Sequence, residues 1–106
     1  MRQPGTTMVM PESDAIQSAQ VEHNRPEQQF ELHLGGLVCL LQYRVTTGKI
    51  IIYHTEVPPP LQNRGLAERM TRAALEYART LDLKVEPRCP YTAAFLRRHR
   101  EYSNLL

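Results

Sequence analysis

The pattern of apolar and polar residues predicts three consecutive strands in the first half of the chain. In residues 29–34 the apolar side chains occupy every second position, which is the period of a half-buried strand. Residues 37–45 are more continuously apolar, as expected for a central strand covered on both faces. Residues 49–57 are mostly β-branched or aromatic. Because residues 35–36 and 46–49 are short turns that contain glycine, the three strands are predicted to form an antiparallel meander.

Three prolines end the third strand, and a glycine precedes a helix. Residues 58–60 lack backbone N–H donors, so the strand must end or splay from its neighbour, and a gap in the sheet is expected. After Gly65 apolar residues recur at helical spacing, which predicts a helix that runs to about Leu81. The N–H groups of residues 63–67 would then lie at a helix N-terminus, where they are unpaired and favour an anion.

The remaining segments complete an α+β fold. Residues 20–23 are a candidate strand before the meander, and residues 84–86 form a short strand closed by a proline. Pro90 fits the first turn of a second helix. We therefore predict a mixed, mostly antiparallel sheet of about four to five strands with two main helices, an α/β sandwich-like arrangement. Residues 1–19 show no sustained period and are expected to be a mobile leader, which leaves a single domain over residues 20–106.

The composition is that of an ordinary globular domain. The chain has 106 residues, of which 42% are hydrophobic and 23% charged, and no apolar run approaches the roughly 20 residues that span a bilayer. The pattern of a signal peptide is absent, so the expected compartment is the cytoplasm. The net charge of +2 does not suggest binding to nucleic acid. Cys39 and Cys89 have no metal-ligand spacing, so we expect free thiols and no metal.

The segment QNRGLA, residues 62–67, carries the most specific chemical signal. Gly65 and Ala67 would keep side chains out of the way, so that a pyrophosphate could contact backbone N–H groups. The segment resembles the pattern Q/R-x-x-G-x-G/A of the acyl-coenzyme A site in the GNAT acetyltransferase superfamily, although many members have glycine in place of Ala67. The alternative to an acyl-coenzyme A site is that Gly65 lies at the helix start for packing alone. The residues expected to contact the cofactor here are Gln62, Asn63, Arg64, Gly65, Leu66 and Ala67.

Three further segments extend the resemblance over most of the chain. VEHN at residues 21–24, HTEVPPP before QNRGLA and KVEPRCPY after it resemble, in this order, segments of a family of small stand-alone GNAT-like N-acetyltransferases. The tail RRHREYSNLL is part of the resemblance as well, which therefore covers about residues 21–106. It implies a truncated GNAT-type fold, acetyl-CoA as cosubstrate between splayed strands, and acetyl transfer to an amine of a small molecule or a protein. The main-chain groups of Thr55 and Val57 would pair with the amides of the pantetheine arm, although Val57 also fits the core.

Cys89 and Glu56 are the candidate catalytic residues. Cys89 lies between a strand and a helix start with Arg88 beside it, and both features lower the pKa of a thiol. The resemblance implies that this cysteine lies near the thioester as a nucleophile or an acid/base group. Glu56 shares a strand face with His54, and either side chain could remove the proton of the attacking amine. The alternatives are that Cys89 is a buried inert cysteine, that Glu56 is a solvated carboxylate and that His54 is a structural histidine.

The last part of the chain adds further candidates. Arg97 is expected to contact the 3′-phosphate of coenzyme A, although a solvated helix face explains this arginine as well. Tyr91 and Tyr102 are both available as proton donors to the departing thiolate. Because 106 residues leave little material for a wall around the acceptor, a non-enzymatic acyl-CoA-binding or sensing module is the alternative function.

Overall fold

One five-stranded sheet and two main helices form the protein, for which a computed structural model describes residues 12–106. The strands are β1 Glu22–Asn24, β2 Gln29–Leu34, β3 Leu37–Thr46, β4 Lys49–Glu56 and β5 Lys84–Pro87. The helices are α1 Glu12–Ser18, α2 Leu66–Thr80 and α3 Pro90–Arg98, and the 3₁₀ helices are Pro59–Leu61 and Arg100–Leu105. The strands lie side by side in chain order, antiparallel from β1 to β4, with β5 parallel to β4.

The predicted α+β fold with a mixed, mostly antiparallel sheet is confirmed. β2 has the predicted bounds and β3 extends one residue further, whereas β1 begins two residues later than the candidate strand. The short helix α1 was not predicted and lies within the expected leader, whose residues 1–11 are outside the described residues. Within residues 12–106, no helix has the length and apolar content that crossing a membrane requires.

The core lies between one face of the sheet and α2. Leu66, Met70, Ala74 and Ala78 recur at every fourth position of α2, and all four are buried. They form one apolar stripe, and α2 contacts β2, β3, β4 and β5. Burial of a leucine or methionine side chain stabilises a fold by about 1.5–3 kcal/mol, so the stripe holds α2 across the sheet. The sheet contributes Phe30, Leu32, Cys39, Leu41, Tyr43, Ile50 and Ile52.

The short edge strand β1 is anchored by the ring of His23. The imidazole stacks on Phe30 with 4.1 Å between ring centroids and packs edge-on against Tyr77 at 4.4 Å. Its Nε2 lies 2.6 Å from the hydroxyl of Tyr43. Burial, followed by the charge of Arg25, lowers the pKa of His23, which favours a neutral ring that accepts the Tyr43 hydrogen. The VEHN segment therefore joins β1 to β2, β3 and α2.

Arg69, in α2, forms hydrogen bonds that connect α1 to the first turns of α2. Its Nη1 donates to the carbonyl of Ile16 at 2.7 Å, and its Nη2 donates to the carbonyl of Ala19. Carbonyls at the end of a helix have no hydrogen-bond donor within the helix, so the Arg69 guanidinium supplies the missing donors at the end of α1. Ile16 and Ala19 also pack against the core. These contacts place Ile16 and Ala19 of the expected leader against α2 and the core.

Glu31 accepts three hydrogen bonds on the outer face of the sheet, the face turned away from α2. Its carboxylate accepts from Gln29 Nε2 at 2.6 Å, Asn24 Nδ2 at 2.9 Å and His33 Nε2 at 2.9 Å. The bonds from Gln29, Asn24 and His33 lower the pKa of Glu31 to about 2. A carboxyl whose pKa is depressed on folding stabilises the fold above its unfolded pKa, and this contribution is lost as the pH falls through the folded pKa.

We predict that Glu31→Gln flattens the acid sensitivity of the fold. In the wild type the contribution of Glu31 is present above about pH 4.5 and is lost as the pH falls to about 2. The variant lacks the charge-assisted bonds at every pH, so its free energy of unfolding at neutral pH should be lower by about 1–2 kcal/mol. Urea titrations at neutral and acid pH measure both effects. Glu27→Gln, at an exposed turn position, is the control; a wild-type acid slope in Glu31→Gln would contradict the assignment.

Candidate functional site

β4 and β5 part at Ile52. Their parallel pairing ends where Ile52 lies opposite Pro87. The carbonyl of Ile52 then accepts two hydrogen bonds, from the N–H groups of Arg88 and Cys89, each at 2.9 Å. β4 continues over residues 53–56, and among the described strands none pairs with this part on the β5 side. The predicted gap is present, but it opens before the three prolines because β5 leaves the sheet first.

A β-bulge in β4 decides which side chains face the helices. The register of β4 against β3 shifts between Ile52 and His54, and Tyr53 between them has no partner in β3. The alternation of side chains changes sides at such a bulge. Thr55 therefore points to the same side as the buried Ile52, while His54 and Glu56 point to the outer face. Without the bulge, Thr55 would point to the outer face, and His54 and Glu56 would point toward the helices.

A tight loop connects β4 to α2. The side-chain amide of Gln62 donates to the carbonyl of Val57 at 2.9 Å, which closes the loop around the intervening 3₁₀ helix. Asn63 and Gly65 adopt positive φ values of 62° and 79°. Asparagine and glycine tolerate this left-handed conformation better than other residues. α2 begins at Leu66, and the first N–H groups of a helix have no partner within the helix.

A cleft of about 390 Å³ joins this loop to the open part of β4. Leu61, Glu68 and Tyr91 contribute to its walls. Arg64 and Arg97, both predicted to contact the cofactor, are not among the residues that line it. The structure does bring seven of the predicted contact residues together on this cleft: Thr55, Val57, Gln62, Asn63, Gly65, Leu66 and Ala67.

Glu68 lines the cleft although the sequence pattern did not single it out. It lies in the first turn of α2, where an acidic side chain stabilises the helix but opposes a bound anion. Arg72 offsets this charge, with 3.0 Å between its Nη2 and the Glu68 carboxylate. The available signal was its position directly after QNRGLA, within the first turn of the predicted helix.

Tyr91, and not Tyr102, lies on the cleft. Tyr102 is buried, and its hydroxyl accepts a hydrogen bond from Arg72 Nη1 at 3.2 Å, so it belongs to the packing beside α2. Burial, followed by the charge of Glu68, raises the pKa of Tyr91. The Tyr91 hydroxyl therefore stays protonated at neutral pH, and the residue lines the cleft.

Cys89 is buried at the start of α3, directly behind Thr55. Only 5% of the residue is exposed, and its thiol donates to the Thr55 hydroxyl with 3.5 Å between Sγ and Oγ1. Burial alone would raise the pKa of the thiol. Hydrogen bonding by Thr55 and by the backbone N–H groups of Thr92 and Tyr91, together with the nearby Thr92 hydroxyl, outweighs this, and the pKa of Cys89 is lowered.

The basic residues near the site lie outside the cleft. Arg88 pairs with Glu86 and its side chain is 67% exposed, so it is not among the groups that lower the pKa of Cys89. Arg97 is exposed in the last turn of α3. Its neighbour Arg98 is exposed as well.

Glu56 and His54 lie on the outer face of the sheet beside the gap. Nε2 of His54 is 3.2 Å from Oε1 of Glu56, which confirms that the two side chains share one face of the strand. Their side chains are 47% exposed for His54 and 61% exposed for Glu56. The open part of β4 therefore carries Glu56 on one face, and Thr55 with Cys89 behind it on the other.

The mixed sheet that parts beside a glycine-containing helix start is the arrangement that the resemblance to GNAT N-acetyltransferases implies. The profile of the family described as GCN5-related N-acetyl-transferase matches residues 29–105. The chain belongs to this family. The matched region includes β2 to β5, both main helices and the whole cleft.

Relatives agree with this family assignment, and a solved structure agrees with the fold. The chain is 32% identical over 93 residues to Protein NATD1 of Xenopus tropicalis, covering 84% of each chain, and 37% identical over 84 residues to Protein NATD1 of Gallus gallus, covering 74% of each. The fold is similar to that of a GCN5-like putative N-acetyltransferase from Staphylococcus aureus, with a TM-score of 0.66 at 24% identity over 81% of this chain and 85% of that one.

Proposed function

We propose that the chain binds acetyl-CoA in this cleft and transfers the acetyl group to an amine. The observation that carries the proposal is that one cleft joins the unpaired part of β4 to the start of α2. An extended arm that contains amides suits an open strand, because it can pair with the backbone as another strand would. A pyrophosphate suits the helix start. Coenzyme A carries both groups in one molecule.

The pyrophosphate would be held mainly by the backbone of the loop and the first turn of α2. A Cβ added at Gly65 would meet no atom within 4 Å, so the approach to the N–H groups there is open. The amide of Gln62 has two hydrogens, and its bond to Val57 leaves one available for a phosphate oxygen. Arg97 and its neighbour Arg98 are the cations proposed for the 3′-phosphate.

Direct transfer is the simplest chemistry for this arrangement. The amine nitrogen attacks the thioester carbonyl carbon, a C–N bond forms, and the C–S bond breaks. Glu56, directly or through His54 or water, takes the proton that the amine loses. The departing coenzyme A thiolate takes a proton from Tyr91, while backbone N–H groups beside the gap hold the carbonyl oxygen.

A two-step route through Cys89 is the variant of this mechanism. The Cys89 thiolate attacks the thioester, its sulfur becomes acetylated, and coenzyme A leaves as a thiolate that Tyr91 protonates. The amine then attacks the acetylated cysteine, which regenerates the Cys89 thiolate as Glu56 takes the amine proton. The lowered pKa of Cys89 and its place directly behind Thr55 support this route.

A second candidate function is a module that binds acyl-CoA and senses it without transfer. The exposure of Glu56 and His54 favours it, because the acceptor side of β4 is open to solvent at these two residues. A transferase has to hold its amine in line with the thioester, and an open face provides few contacts for that purpose.

Acetyl-CoA should stabilise the protein if the cleft is its site. At about 100 times the dissociation constant, a ligand adds about 2.7 kcal/mol to the free energy of unfolding. For a domain of this size that corresponds to a rise of roughly 10 °C in Tm. Thermal unfolding with and without acetyl-CoA measures the shift, and its absence at millimolar cofactor would contradict the proposal.

Gly65→Asp and Gly65→Asn form the matched pair for this test. Both residues must adopt the φ of +79° found at Gly65, so both carry similar backbone strain and similar bulk. Only aspartate adds a negative charge beside the pyrophosphate, which should weaken binding by about a hundredfold beyond the asparagine variant. Equal loss in both variants would show that bulk alone acts there.

Variants of the two candidate catalytic residues should separate the chemical routes. Glu56→Gln should lower the rate of thiol release from acetyl-CoA with an amine acceptor by about a hundredfold and leave the thermal shift unchanged.

Rapid-quench mass spectrometry should detect an acetyl adduct that Cys89→Ser abolishes if the two-step route operates. Retention of full activity by Cys89→Ser would exclude that route. A thermal shift without thiol release across amines and lysine peptides would support the sensing module instead.

A further inference from the structure

The hydroxyl of Thr92 has no hydrogen-bond partner although the residue is fully buried. It lies in the first turn of α3, three residues after Cys89, and its exposed fraction is 0%. In the described part of the chain, Thr92 Oγ1 is the buried side-chain oxygen or nitrogen without a partner. A buried hydroxyl left unpaired costs about 1–3 kcal/mol, so its presence calls for a physical explanation.

The neighbouring thiol supplies the explanation. Thr92 follows Cys89 by three residues in the first turn of α3, a spacing that brings the two side chains to neighbouring positions. Cys89 itself donates to Thr55 Oγ1 at 3.5 Å. A neutral thiol has one hydrogen, which it gives to Thr55, and its sulfur is only a weak acceptor for Thr92. A thiolate has no hydrogen and accepts from both hydroxyls. Ionisation of Cys89 therefore gives the unpaired Thr92 hydroxyl a strong acceptor.

We propose that Thr92 and Thr55 are positioning residues that hold the sulfur of Cys89 as a buried thiolate directly behind Thr55, a residue of the cleft wall, with both hydroxyls donating to it. When the thiolate forms, the S–H bond breaks and the proton leaves to water. The Thr55 hydroxyl then turns from acceptor to donor. The use of this thiolate in acetyl transfer rests on the proposed function, but its formation does not.

The charged and titratable groups around Cys89 do not replace the two threonines. Tyr91, on the same helix, stays protonated because burial raises its pKa. Arg88, adjacent in the chain, pairs with Glu86 on β5. Glu68, on α2, pairs with Arg72. The donors that remain for the sulfur are the hydroxyls and the N–H groups at the start of α3, which agrees with the lowered pKa of Cys89.

Titration of the thiol in the full chain, without acetyl-CoA, tests this assignment. The thiolate absorbance of the wild type minus that of Cys89→Ser isolates Cys89 from Cys39 and from the tyrosines. Thr92→Val should raise the midpoint by about one pH unit, a tenfold lower ratio of thiolate to thiol at a given pH. Thr92→Ser, which keeps the hydroxyl, should titrate like the wild type. Thr55→Val should shift the midpoint in the same direction.

Stability separates this role from a purely structural one. At a pH where Cys89 is protonated, Thr92→Val should be at least as stable as the wild type, because it removes a buried hydroxyl that has no partner there. Failure of Thr92→Val to fold would contradict the proposal. It would show that the Thr92 hydroxyl makes a stabilising hydrogen bond even while Cys89 is a neutral thiol. Unchanged midpoints in both valine variants would overturn it. Because no cofactor is present, a failed acetyl-CoA thermal shift leaves this result intact.

Discussion

The separation of β4 from β5 at Ile52 is the constraint on which the candidate site depends. One carbonyl there accepts the N–H groups of both Arg88 and Cys89, which completes the pairing and turns the chain toward α3. Two adjacent donors on one acceptor cannot continue a parallel ladder, in which successive bonds are evenly spaced along the strand. The open part of β4, the burial of Cys89 and the placement of Tyr91 beside the cleft all follow from this turn.

The bulge at Tyr53 gives the open strand two different faces. It directs Thr55 toward the helices and Glu56 toward the outer face, so the groups proposed for the thioester and for the amine lie on opposite sides of one strand. α2 completes the arrangement because its buried stripe holds the helix start against the sheet. A ligand that passes through the gap would contact both faces.

Local patterns were sufficient to predict most of the fold but not the details of the site. Alternation predicted β2, and helical spacing predicted α2, since each depends on one face being buried. The bulge was not predictable because no glycine or proline marks Tyr53, and bulges arise from pairing between distant residues. Likewise, Arg88 stands beside Cys89 in sequence but pairs with Glu86, while Thr55, far away in the chain, reaches the sulfur. The polar partners of Cys89 depend on tertiary contacts that a single sequence does not reveal.

Amide NMR spectra of the labelled protein during titration with acetyl-CoA test the central claim most directly. Binding at the proposed site should shift the amide signals of residues 53–57 and 63–68 together and to saturation, because the two segments line one cleft. The signals of β1 and β2, on the far side of the sheet, should change little. Shifts centred instead on the smaller cleft beside Arg79, Lys84 and Asn104, or no saturable shift at all, would contradict the account.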